Sequence, residues 1–312
     1  MGYTRKKSIK RTKRYKKYKA FIGGTINDAK CIFLNLGSGK GKKNDQIDSG
    51  LGNQLFMYAA GLVAKNKTGM QLCLLPSLKM LHSKIDYRYL FKKGTAVEHD
   101  NLQSRIDSAT KVHSGIDIHN SWKNNNIPSN TSKDMILVGH LYQNYGNIVS
   151  VFPEIRKDLK EEFIKKYGEK SKYNIQSNTS AFMHVRRGDY LITNRNLKID
   201  YYNEALKRLA NNSNIKTIYV VSNDIDWCKQ QNFKFRDSTE SVIITDKSDD
   251  ELLSMYVMML CKAGGIISRS TYSMWGAILG PDENNESTIV SPINFGTGEM
   301  KELNVPGRWI QI

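Results

Sequence analysis

The chain has 312 residues, 39% of them apolar, and a formal net charge of +17. That length admits two domains of ordinary size, and the apolar fraction is too rich for a disordered chain. No stretch approaches the roughly 18 unbroken apolar residues of a membrane span, and no apolar core follows the charged N-terminus, so neither a span nor a secretory signal is expected.

In chain order the first feature is a basic tail. Ten positive charges and no acid fall in residues 1–20, which leaves +7 for the rest of the chain. Such a segment cannot bury its own charge and is expected to be solvated. It suits adhesion to a polyanion, either nucleic acid or an anionic membrane face, or else acts only as a solubilising leader. Tyr3, Tyr15 and Tyr18 interleave the charges and suit stacking on bases. The expected location is cytoplasmic, with a tail able to reach a membrane surface.

Cys31–Leu36 (CIFLNL) is a short apolar run that predicts a buried strand. Gly37–Ser49 is Gly- and Lys-rich and reads as a loop. After Gly50-Leu51-Gly52, the apolar spacing of Asn53–Lys65 predicts a helix, and Met70–Leu75 predicts the next strand. Strand, glycine turn, helix and strand open an α/β unit. Residues 83–133 are polar and carry no clear period. Met135–Gly139 predicts a strand and Phe152–Tyr167 a helix with Pro153 in its first turn. Gly168–Ser180 reads as a linker.

Beyond it the alternation is clear. Strands are expected at 181–185, 217–221, 242–245, 264–268 and 288–290, and helices at 201–210, 225–231, 249–262 and 273–279. Repeated β-α-β order argues for parallel sheets covered on both faces, and two such halves for two Rossmann-like domains facing each other across a cleft. The four cysteines, Cys31, Cys73, Cys228 and Cys261, lie in apolar settings. They read as buried thiols of a reducing compartment rather than a disulfide frame or a zinc site.

Four segments carry chemistry. His184–Tyr190 (HVRRGDY) ends a predicted strand, where α/β proteins place ligand groups. Neighbouring residues of a strand face opposite ways, so Arg186 and Arg187 do different jobs. One can offer a bidentate fork to a diphosphate while the other pairs with Asp189 or another acid; the alternative is a purely structural Arg–Asp pair. Gly50–Leu55 (GLGNQL) puts Gly50 and Gly52 before a helix N-terminus, which suits a phosphate, or simply a tight turn capped by Asn53. Asn223 and Asp224 can accept from a guanine edge or a ribose hydroxyl, or cap the helix that follows. The hydroxyls of Ser270, Thr271 and Ser273 lie at a strand-to-helix turn and can cap the helix and bind phosphate.

Taken together and in order, these blocks resemble glycosyltransferase family 11, the α-1,2-fucosyltransferases. The resemblance rests on GLGNQLFMYAA from Gly50, GHLYQNY from Gly139, HVRRGDY from His184, and the stretch from Asp249 to Ala277. It runs over about residues 31–312. It implies a GT-B architecture with an acceptor-side domain at 31–168, a linker at 169–180 and a donor-binding domain at 181–312, after a tail at 1–30. It also implies an inverting transferase that moves fucose from GDP-fucose to a glycan hydroxyl, α-1,2 to a terminal galactose, with no required metal or other cofactor. On the same ground His184 and Asp224 address the guanine or ribose. Arg186 holds the β-phosphate with Arg187 in support. Ser270, Thr271 and Ser273 close on the pyrophosphate, and Asn53 lies near the reacting centre. The chain departs from the family pattern in the insert at 37–49, in Asn223 where a second Asp is usual, and in Arg269 and Met274 where Asn and Trp are usual. The rival expectation is a nucleic-acid-binding protein that works through its tail.

Overall fold

A computed structural model describes residues 29–40, 46–48, 50–75, 85–97, 102–113, 132–138, 145–283, 286–293, 295 and 305–312. The tail over 1–28 and the segment 139–144, with most of GHLYQNY, lie outside them. Two compact units divide at residue 142, and Leu51–Leu55 group with the second.

The first unit is built on five parallel strands. These are β1 (Cys31–Leu34), β4 (Gln71–Leu74), β5 (Gly94–Ala96), β6 (Thr110–His113) and β7 (Met135–Val138), in the order β5-β4-β1-β7-β6. All four residues of β1 are buried, as a continuous apolar run at the centre of a parallel sheet requires. Helix α1 (Leu51–Thr68) ends at Gly69, whose φ of 70° suits a residue without Cβ. Its Gly61 lets the helix approach the sheet: a Cβ there would come within 2.8 Å of the Leu72 side chain. Helix α2 (Leu102–Ser108) and strands β5 and β6 arise from the stretch where no period could be read.

Two expectations change in this unit. The loop expected over 37–49 contains a two-stranded antiparallel pair, β2 (Gly37–Lys40) with β3 (Gln46–Asp48). Cys31 and Cys73, expected as separate thiols, form a disulfide. They sit on hydrogen-bonded neighbour strands, offset by two residues of the register, with Cα atoms 5.7 Å apart. Distance along the chain hid the pair, and strand adjacency makes it. Cys228 and Cys261 are buried free thiols, as expected.

The second unit carries six parallel strands: β8 (Ser180–Val185), β9 (Thr217–Ser222), β10 (Val242–Ile244), β11 (Gly264–Ile266), β12 (Thr288–Ser291) and β13 (Ile310–Gln311). Their order is β10-β9-β8-β11-β12-β13, so the chain runs outward from β8 on one side and from β11 on the other. That is the doubly wound dinucleotide-binding order. The helices are α3 (Tyr145–Ile148), α4 (Phe152–Tyr167), α5 (Gly188–Ile192), α6 (Ile199–Ala210), α7 (Ile225–Gln230), α8 (Glu251–Leu260) and α9 (Thr271–Leu279). Helix α6 shows why the pattern was legible. Tyr202, Ala205, Leu206 and Leu209 fall at helical spacing and are buried, with Asp200 in the first turn and Lys207 and Arg208 in the last.

Residues 145–180 group with this second unit. The Arg156 guanidinium on α4 donates to the carbonyls of Ile278 (2.6 Å) and Leu279 (3.2 Å) at the end of α9. Phe152 meets Trp275 edge-on at 5.5 Å. The segment read as a linker is tied in as well, since the Tyr173 hydroxyl bonds Asp249 and the Lys262 N–H donates to the Ser177 carbonyl. Among the described residues no helix is long and apolar enough to cross a membrane.

Candidate active site

Strands β8 and β11 lie side by side where the order reverses, and open α/β sheets bind ligands outside the carboxyl ends of such a pair. Two loops meet there, Arg186–Gly188 after β8 and Ile267–Ser270 after β11. A side-chain bond ties the end of β8 to the second of them, with His184 Nδ1 at 2.8 Å from the Ser268 hydroxyl. His184 is buried, and burial together with the Arg186 charge pushes its pKa down to about 3. The imidazole is therefore neutral, and one of its nitrogens is committed to holding the two loops in register.

The turn after β11 is built from its own hydroxyls. The Ser268 N–H donates to Ser273 Oγ at 3.2 Å, and the Ser273 hydroxyl donates to the Ser270 carbonyl at 2.9 Å. Ser273 is 0% exposed, so it shapes the turn from within. Ser270 is the N-cap residue of α9 and makes no side-chain cap bond.

Both arginines are paired. Arg187 is held on every side. Its Nε lies 3.1 Å from Asp224 Oδ2, its guanidinium sits 4.1 Å above the Trp227 ring, and its N–H donates to Asn223 Oδ1 at 2.9 Å. Arg186 pairs with Asp189 at 2.8 Å and lies 5.3 Å from the Tyr190 ring centre. The Asp189 side chain is 56% exposed, and such a pair contributes little in water. Arg186 Nε is buried with no acceptor. Arg186 can thus exchange Asp189 for a diphosphate, whereas Arg187 cannot leave its partners without undoing the strand end.

Asp224 does two structural jobs at once. One carboxylate oxygen caps α7 by accepting from the Trp227 N–H at 3.2 Å, and the other takes Arg187. Asn223 faces the turn after β8. A Cβ on Gly188, where φ is +34°, would strike the Asn223 amide, so the glycine is required by both conformation and space.

The glycine turn reaches the same place, because the first residues of α1 belong to this unit. Gly50 has open space where a Cβ would go, whereas a Cβ on Gly52 would collide with the Tyr272 backbone N. The Thr271 hydroxyl donates to Asn53 Oδ1 at 2.7 Å. Two helix N-termini, those of α1 and α9, are therefore in contact, with their positive dipole ends close together. That arrangement suits an anion.

Two residues that the sequence analysis gave no role brace the site. The Tyr190 hydroxyl donates to the Arg269 carbonyl at 3.0 Å, and the Tyr201 hydroxyl to the Ile267 carbonyl at 2.6 Å. Burial raises the pKa of both tyrosines, which keeps them as donors. Tyr190 was visible as the end of HVRRGDY. Nothing local marks Tyr201, because its partner is 66 residues away. Among the described residues no three His, Cys, Asp or Glu side chains converge to hold a metal ion.

The model of glycosyl transferase family 11 matches residues 51–311. The chain is 25% identical over 305 residues to the O-antigen biosynthesis glycosyltransferase WbnK of Escherichia coli, covering 85% of this chain and 99% of the relative. It is 30% identical over 149 residues to an α-1,2-colitosyltransferase of Escherichia coli, covering 44% of this chain and 49% of that one. Among solved structures it is similar to the fucosyltransferase NodZ from Bradyrhizobium, at 11% identity over 82% of this chain and 95% of that one with a TM-score of 0.47. Another is an Arabidopsis thaliana FUT1 mutant in complex with GDP, at 11% identity over 89% of this chain and 74% of that one with a TM-score of 0.49.

Proposed function

The chain belongs to glycosyl transferase family 11, and from that premise we propose that it is an inverting GT-B enzyme that moves L-fucose from GDP-fucose to a glycan hydroxyl, α-1,2 to a terminal galactose. The observation that carries this reading is the composition of the switch-point site. One exchangeable guanidinium, Arg186, stands where the chain leaves β8, and two touching helix N-termini stand beside the turn after β11. A nucleoside diphosphate is the ligand that such a site fits. When the bond to the sugar breaks, negative charge grows on the β-phosphate, and a fork aimed at that oxygen lowers the barrier. Arg186 is the binding and catalytic cation in this reading, and Asn53 is held near the reacting centre by Thr271.

Asp224 and Asn223 sit at the end of β9 for the nucleoside, and His184 acts by fixing the loop geometry. Cationic side chains and helix N-termini supply the positive charge, so no metal is required. A second reading keeps the reaction and changes the sugar, since one relative is an α-1,2-colitosyltransferase. Isothermal titration against GDP-fucose, GDP-colitose, GDP-mannose and UDP-galactose, followed by linkage analysis of the product on a galactose-terminated acceptor, tests both. Preference for GDP-fucose and an α-1,2 product support the first reading; preference for GDP-colitose supports the second. Equal affinity for UDP-sugars overturns the donor assignment.

A further inference from the structure

The turn after β11 carries an arginine, Arg269, that makes no ion pair among the described residues. Arg269 follows Ser268, the partner of His184, and precedes Ser270, the N-cap of α9. Its carbonyl is fixed by the Tyr190 hydroxyl at 3.0 Å, so its backbone cannot drift. Its side chain is half-buried, and Nε is shut off from solvent without an acceptor. A buried donor left unpaired is costly, and native proteins rarely keep one without use.

The surroundings share that imbalance. Tyr190 ties together three arginines. Arg186 lies against its ring, Arg195 donates its backbone N–H to the Tyr190 carbonyl at 2.9 Å, and Arg269 accepts from its hydroxyl. The charges of Arg186 and Arg195 both act on the Tyr190 hydroxyl, and that of Arg269 acts on Tyr201. Asp189 is the one carboxylate that pairs with any of the three among the described residues, and it is exposed and taken by Arg186. Arg195 and Arg269 make no ion pair there. Arg186 and Arg269 at the carboxyl ends of β8 and β11, with the charge of Arg195 felt at Tyr190, face one solvated carboxylate among the described residues, which leaves the site short of negative charge.

We propose that Arg269 binds the diphosphate of the nucleotide donor, as a second guanidinium that works with Arg186. The inference rests on the donor reading above and deepens it. The cation on the β8 side and the cation on the β11 side would take oxygens of the same diphosphate, and Arg269 Nε gains the acceptor that it lacks. Arg269 stands where Asn is usual in glycosyltransferase family 11, so the family pattern does not supply this contact.

The test is isothermal titration of the full chain with GDP, guanosine and inorganic pyrophosphate, for wild type, Arg269→Asn and Arg269→Lys. Arg269→Asn is expected to weaken GDP and pyrophosphate about tenfold, the scale of one charge-assisted contact. Guanosine binding should stay within twofold, and Arg269→Lys should recover part of the loss. A purely structural role would instead lower guanosine binding and the melting temperature together. GDP and pyrophosphate affinities within twofold of wild type in Arg269→Asn overturn the proposal, as does a wild type that binds neither. If wild type binds pyrophosphate but not GDP, the donor reading fails and the pyrophosphate arm still decides the role of Arg269. Should Arg269→Asn not fold, Arg269→Lys and Arg269→Gln decide it by the same comparison.

Discussion

The Asn53 carboxamide accepts a 2.7 Å hydrogen bond from the Thr271 hydroxyl, across 218 residues of sequence. It joins the first turn of α1 to the first turn of α9, and so joins the glycine turn to the hydroxyl turn. The two residues should act as a unit. Thr271→Val and Asn53→Ala are each expected to lower kcat/KM about tenfold, and the double variant should be little worse than the more damaged single one. Additive losses in a double-mutant cycle would show that the bond does not couple them.

Gly50 and Gly52 are expected to differ sharply on substitution by alanine. Gly50 has a φ of −60° and open space around a Cβ, so Gly50→Ala should shift the melting temperature by less than about 2 °C. At Gly52 the added Cβ meets the Tyr272 backbone, which cannot move like a side-chain tip. Gly52→Ala should cost about 1–3 kcal/mol and separate the two helix ends. Equal melting temperatures by differential scanning fluorimetry would sink this reading.

The adjacent arginines should separate catalysis from stability. Arg186→Lys keeps the charge and loses the fork, so kcat should fall about a hundredfold while GDP affinity changes less. Arg187→Lys loses the Nε contact with Asp224 and the face-on contact with Trp227, so unfolding free energy should fall by about 1–2 kcal/mol with a smaller effect on kcat. Wild-type kcat in a folded Arg186→Lys enzyme would place the phosphate clamp elsewhere.

His184 makes stability depend on pH. Its pKa is pushed down to about 3 by burial and by Arg186, so the folded chain excludes a proton that the unfolded chain binds below about 6.5. The contribution is whole above the unfolded value and is lost as pH falls towards the folded one. Between pH 7 and pH 5, wild type should lose about 2 kcal/mol more than His184→Asn, an amide that cannot titrate. Urea unfolding at the two pH values measures the difference, and parallel losses in both proteins would contradict a neutral buried imidazole.

Chelation offers a separate check on the chemistry. With Arg186 and helix N-termini as the source of positive charge, EDTA should leave turnover within about twofold. Loss of activity restored by manganese would overturn the metal-free mechanism.

Local chemistry makes much of the fold legible in the sequence by itself. Short, β-branched or aromatic apolar runs such as SAFMHV and TIYVVS read as buried strands, the helical spacing in Ile199–Ala210 needs one buried stripe, and HVRRGDY marks a strand end by its charge. These signals come from neighbours along the chain, and neighbours determine element type. Partnership is different, because it depends on strand order and on which ends of the elements meet. Only the tertiary structure decided that Cys31 and Cys73 meet on paired strands, and that Arg187 belongs to Asp224 while Arg186 takes the exchangeable Asp189. Only it showed that α4 packs on α9, and that Thr271 reaches Asn53. In each case the deciding contact spans a gap that no periodicity records, and the energy of a hydrogen bond or ion pair depends on the burial around it rather than on the residue type alone.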